Sequence, residues 1–119
     1  ADPRDYVHRI ELGSRLGYRH VYGETREFRS GEIVYVMARI LQPHPAWELE
    51  WQLVPPESPE AAEPFPQPFD ASLSYASIGF SMKPEFPAGE YRIRLFVGRR
   101  FGEKELVAER SFFLVKEDL

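Results

Sequence analysis

Seven consecutive residues, Trp47-Glu48-Leu49-Glu50-Trp51-Gln52-Leu53, alternate apolar and polar without exception. In an extended chain successive side chains point to opposite faces. Trp47, Leu49, Trp51 and Leu53 therefore share one surface, and Glu48, Glu50 and Gln52 the other. A helix would scatter both sets around its circumference. Two indoles on one face of one strand need an apolar layer to cover them, which points to a two-layer β architecture.

The period of two recurs along the chain. Tyr91, Ile93, Leu95 and Val97 share a face, with Arg92 and Arg94 opposite. In the run from Gly31 to Leu41, Val34, Val36, Ala38 and Ile40 form one face, and Ile33, Tyr35, Met37 and Arg39 the other. Such a strand is central, with its second side partly covered. Ser72–Met82 is strand-like with Ala76, Ile78, Phe80 and Met82 inward. Residues 105–115 read as a last strand with two candidate faces, Leu106, Ala108, Phe112 and Leu114 or Val107, Glu109, Ser111, Phe113 and Val115, of which the first is favoured as inward. Tyr6–Leu12 and Tyr18–Tyr22 are candidate short strands punctuated by Gly13, Gly17 and Gly23. No segment reads as a helix.

Residues 55–69 stand apart, with six prolines and three glutamates. Proline cannot donate to a ladder, so this segment is expected to be a proline-rich surface crossover rather than a strand. With 119 residues, the chain is expected to form one domain over 1–119. About seven short strands at regular spacing, separated by Gly/Pro turns, describe an antiparallel β-sandwich.

Three features carry a resemblance. A Trp (47 or 51) lies on the third main strand. Pro87-Ala88-Gly89-Glu90-Tyr91 resembles a tyrosine corner, in which the phenol bonds back to nearby backbone. Arg29-Ser30-Gly31-Glu32 precedes an apolar strand. Over roughly 26–115 the chain resembles bacterial immunoglobulin-like or fibronectin type III-like modules. The resemblance implies an all-β immunoglobulin-like sandwich with no bound cofactor. It implies a bacterial interaction or structural module of an envelope-associated or multidomain protein, with a periplasmic or extracellular setting favoured over the cytoplasm. In that topology strands 46–54, 90–98 and 105–115 lie side by side, bringing Glu48 and Glu50 next to Arg92 and Arg94, next to Glu109.

Composition narrows the chemistry. There is no Cys, which removes disulfides, thiol nucleophiles and Cys-based metal sites. The net charge is −4 with scattered basic residues, which disfavours nucleic acid. No apolar run is long enough for a transmembrane helix, so no membrane insertion is expected. His8, His20 and His44 have no metal-ligand spacing. Of the four Asp, three lie at the chain ends, and no Gly-x-Ser-x-Gly elbow or phosphate loop is present. The expectation is a non-enzyme.

Rigid sandwiches commonly present function on their loops. The Gln42-Pro43-His44-Pro45 and Gly98-Arg99-Arg100-Phe101-Gly102 loops are expected at one end, joined there by the chain near Phe69 and Asp70. His44, Phe69, Asp70, Arg99, Arg100 and Phe101 are thus the candidate binding residues, Arg and aromatics being enriched at hot spots. The expected partner is a protein or neighbouring domain, met by loop ends or an edge strand. Alternatives are a second copy paired through an edge strand such as 6–12 or 105–115, and a carbohydrate bound on exposed aromatics.

Overall fold

The alternating segments pair into two sheets, and their inward faces meet as the core. The computed structural model describes residues 7–18, 20–41, 47–69, 71–99 and 102–116. Nine strands appear in these residues: β1 (Val7–Leu16), β2 (Val21–Glu24), β3 (Glu27–Arg29), β4 (Ile33–Ile40), β5 (Trp47–Val54), β6 (Glu63–Phe69), β7 (Tyr75–Ser81), β8 (Gly89–Gly98) and β9 (Lys104–Val115). One sheet has the order β2-β1-β4-β7, the other β3-β9-β8-β5-β6. All pairings are antiparallel except β3 on β9, which is parallel. The count exceeds seven by the short β3 and by β6.

The expected inward sets of β4, β5 and β8 form the core. Val34, Val36, Ala38, Ile40, Leu49, Trp51, Tyr91, Ile93, Leu95 and Val97 are buried and packed in one cluster. Full burial of such a side chain contributes roughly 1.5–3 kcal/mol over its exposed state. Tyr91 stacks on Phe112 at 5.3 Å, and Phe28 meets Phe112 edge-on at 5.5 Å. The tyrosine corner is present: the Tyr91 hydroxyl donates to the Pro87 carbonyl at 2.7 Å. The Arg29–Glu32 segment is a turn. Glu32 N–H donates to the Arg29 carbonyl, the Glu32 carboxylate accepts from Arg29 N–H, and Gly31 supplies the φ of 90°.

Strands β5, β8 and β9 are neighbours as expected, but the charged outer face pairs differently in detail. Arg94 Nε donates to Glu109 at 2.8 Å and Arg92 lies 3.9 Å from the same carboxylate. Glu48 instead meets Lys104 at 3.0 Å, and Glu50 accepts from Gln52.

Three expectations need correction. Residues 63–69 are not a crossover but edge strand β6, paired with β5 from Trp47↔Phe69 to Leu53↔Glu63. The prolines fit because all three share one parity. Pro64, Pro66 and Pro68 sit opposite Gln52, Glu50 and Glu48. At an edge, alternate residues turn their N–H away from the ladder, so no paired donor is lost. The irregular connection shrinks to residues 55–62, with one 3₁₀ turn at Pro59–Ala61. In β9, Leu95↔Ala108 is followed by Phe96↔Leu106, leaving Val107 as an extra, bulged residue. The bulge inverts the facing: Leu106 is 42% exposed and Val107 packs on the core. Near the start, Gly13 lies within β1, and the second strand is Val21–Glu24 rather than Tyr18–Tyr22.

Candidate functional site

The loop end assembles as far as it is described. Ile40 N–H donates to the Ser74 carbonyl, Trp47 pairs with Phe69, and Glu48 with Gly98. The stems of the β4–β5, β6–β7 and β8–β9 connections therefore leave from the same end of the sandwich. Arg99 is exposed there, and its carbonyl accepts from Gly102 N–H at 2.9 Å. Phe69 is 3% exposed and belongs to the core, so its ring packs and does not project. His44, Asp70, Arg100 and Phe101 lie outside the described residues.

A second feature lies on the lateral side where β6 and β7 are the edges of their sheets. Here a cleft of about 320 Å³ opens between Leu53, Phe65, Phe80, Phe86 and Tyr91, with Pro55 and Pro87 at its walls. Phe65 stands edge-on to Phe80 at 5.3 Å, and Phe86 tilts over Tyr91 at 6.4 Å. Glu63 and Lys83 flank the opening, and the Lys83 ammonium sits 6.0 Å from the Phe86 ring centroid. Burial raises the Tyr91 phenol above its ordinary value of 10.0, so it is a neutral donor held on Pro87.

The backbone along this cleft is an unprotected edge. In β7 the even residues face β4: Met82 N–H donates to Glu32, and Ser74 accepts from Ile40. The odd residues, Tyr75, Ser77, Gly79 and Ser81, turn their N–H and C=O to the free side. Only part of that edge is covered. Trp51 Nε1–H donates to Gln67 Oε1 at 3.0 Å, and Gln67 Nε2–H donates to the Ser77 carbonyl at 3.3 Å. Gln67 thus stitches the two sheets together and caps β7 halfway. Beyond it, Gly79 and Ser81 line the cleft.

The four edge strands differ sharply. Strands β2 and β3 are four and three residues long and pair only with residues 13–16 of β1 and 113–115 of β9, so the outer sides of the remaining β1 and β9 residues are edges as well, with charged residues along them. Strand β6 carries three prolines whose ring nitrogens face outward, so that edge offers few donors. Strand β7, Tyr-Ala-Ser-Ile-Gly-Phe-Ser, has seven residues with no charge and no proline. Short length, proline and charge are the usual edge protections, and β7 lacks all three. The aromatic cleft was not read from the sequence. The signals that could have found it are the alternation Phe65-Gln67-Phe69 and the uncharged run 75–81.

Among the described residues no cluster of three or more His, Asp or Glu could hold a metal. No helix among them is long and apolar enough to cross a membrane.

No family model and no curated protein matches this chain. Solved structures do. An immunoglobulin-like protein (PA1606) from Pseudomonas aeruginosa aligns with a TM-score of 0.67 at 18% identity, over 92% of this chain and 94% of that one. The PmoD soluble domain from Methylocystis sp. ATCC 49242 (Rockwell) aligns with a TM-score of 0.56 at 16% identity, over 92% and 97%. Two largely antiparallel sheets, a tyrosine corner and these neighbours show an immunoglobulin-like fold.

Proposed function

We propose that this chain is a non-catalytic interaction module of a bacterial envelope-associated or multidomain protein, and that it takes up an extended segment of a protein partner. The observation that carries the reading is the bare β7 edge beside the aromatic cleft. Gly79 and Ser81 offer main-chain hydrogen bonds to an added strand, and the cleft offers a pocket for one of its inward side chains. Edge addition draws affinity from the former and specificity from the latter. The rings of Phe65, Phe80 and Phe86 suit an aromatic or proline side chain. The Gln67 cap at Ser77 limits the added strand to a short stretch. The loop end around Arg99 is a second contact surface of the same module. A sugar platform built on the indoles is disfavoured, since Trp47 and Trp51 are 8% and 0% exposed.

The test is panning of random linear peptides on the immobilised domain, followed by amide-shift titration with the selected peptides. Shifts concentrated at residues 79–83 and 65–67 are expected. Ser81→Pro removes one free-side N–H and leaves the β4 pairing whole, so it should abolish binding with the circular dichroism unchanged. Peptides whose shifts map elsewhere, or that bind Ser81→Pro as well as the parent, would refute the proposal.

A further inference from the structure

The β1–β2 hairpin runs past the sheet that carries it. Strand β1 pairs with β4 only as far as Gly13↔Tyr35, three residues short of its own end at Leu16. From there it has only β2 beside it, through Arg15↔Tyr22 and Leu16↔Val21. The tip is ordered by local packing. Gly17 N–H donates to the His20 carbonyl at 2.8 Å. The Tyr22 ring lies against Gly17 so closely that a Cβ there would fall 2.2 Å from Cε2. His20 meets the Tyr22 ring edge-on at 6.5 Å.

This tip presents apolar and basic side chains together. Leu16, Tyr18 and Tyr22 are all exposed, Tyr18 at 87%. From Ser14 to Tyr22 the chain carries Arg15, Arg19 and His20 and no acidic residue, in a protein whose net charge is −4. Of the flanking acids, Glu11 is turned back onto the hairpin, where it accepts from Val21 N–H at 3.2 Å and lies 3.9 Å from His20, and Glu24 is exposed at the base of the hairpin opposite Gly13, away from the turn.

We infer that this hairpin is a docking tip for an anionic bilayer surface, with Leu16, Tyr18 and Tyr22 entering the headgroup region and Arg15 meeting lipid phosphate. Aliphatic and tyrosyl side chains with arginine stems are the chemistry of the membrane–water interface. Charge complementarity selects the anionic surface, and the acidic remainder of the chain orients the hairpin toward it. A lipid surface fits better than an acidic protein. A hairpin end that exposes three large apolar side chains falls short of the roughly 800 Å² per partner that a stable protein interface buries. A bilayer needs no matching shape, and a few apolar side chains with basic neighbours bind it reversibly. This is surface docking and crosses nothing.

Co-sedimentation with extruded phosphatidylcholine vesicles, with and without phosphatidylglycerol, tests the proposal at low and high salt. Binding is expected only with phosphatidylglycerol and should fall at high salt. Arg15→Ala should weaken it about fivefold, and Tyr18→Ser about tenfold, with circular dichroism unchanged. In Tyr18→Trp the new indole is the one exposed Trp against two buried ones, so brominated lipid should quench it selectively. Equal binding to vesicles without anionic lipid would overturn the proposal. So would binding unaffected by Arg15→Ala and Tyr18→Ser, or an absence of vesicle binding alongside capture by polyglutamate.

Discussion

Replacing Gln67 by Leu tests the stitch between the sheets. The side chain accepts from Trp51 Nε1–H at 3.0 Å and donates to the Ser77 carbonyl at 3.3 Å. Leucine keeps most of the volume and removes both functions. The Trp51 residue is 0% exposed, so its N–H loses its acceptor where water enters poorly. A buried donor left unmade costs about 1–3 kcal/mol. The Ser77 carbonyl lies on the free side of an edge strand and regains water, so it adds little. The expected loss is therefore about 2 kcal/mol, near 8 °C in Tm at about 4 °C per kcal/mol for a domain of this size. Urea unfolding followed by far-ultraviolet circular dichroism measures it, with the m-value unchanged. The cycle with Trp51→Phe separates the bond from the packing: with no N–H at 51, Gln67→Leu should cost less than half as much. A Gln67→Leu variant as stable as the parent, or an equal loss in both backgrounds, would refute the stitch.

Two further outcomes follow from the same geometry. Tyr91→Phe removes the bond to Pro87 and should cost about 1 kcal/mol. The folded phenol titrates above 10.0 because of burial, so the unfolded chain loses that proton first. The Tyr91 contribution is then whole below pH ~10 and declines as pH rises toward the folded value, and the gap in urea midpoint between parent and variant should narrow in strong alkali. Replacing Pro64, Pro66 and Pro68 together by Thr restores three outward donors to β6. The fold should persist while sedimentation shows mass rising with concentration more steeply than in the parent, and identical sedimentation would show that the prolines do not guard this edge.

The legible parts of this fold are those with a local rule. Alternation places Trp47, Leu49 and Trp51 in the core without reference to any other strand, and the tyrosine corner joins residues only four positions apart. Facing in β9 is different. Leu106, Val107 and Ala108 are consecutive apolar residues, so either parity reads well, and only the bulge opposite Leu95 and Phe96 decides which side chain turns inward. The cleft was hidden for a related reason. Phe65, Phe80, Phe86 and Tyr91 come from separate segments and meet only once β6 has joined β5. The loop end was legible in its stems, because strand order alone sends three connections to one end.

The prolines link the misread segment to the proposed site. A rule that bars proline from central strands is correct, but it is silent on an edge strand whose prolines all share one parity. Pro64, Pro66 and Pro68 satisfy that condition, so the segment after β5 folds back onto β5 instead of continuing beside β7. That choice leaves β7 as the outer strand of its sheet. It also carries Phe65 and Gln67 across the gap, where one ring walls the cleft and one amide caps Ser77. One lateral edge is therefore poor in donors, and the edge facing it is bare from Gly79 onward. A proline-spaced strand next to an uncharged one is thus a sequence pattern for a sandwich whose two facing lateral edges differ in the donors they offer.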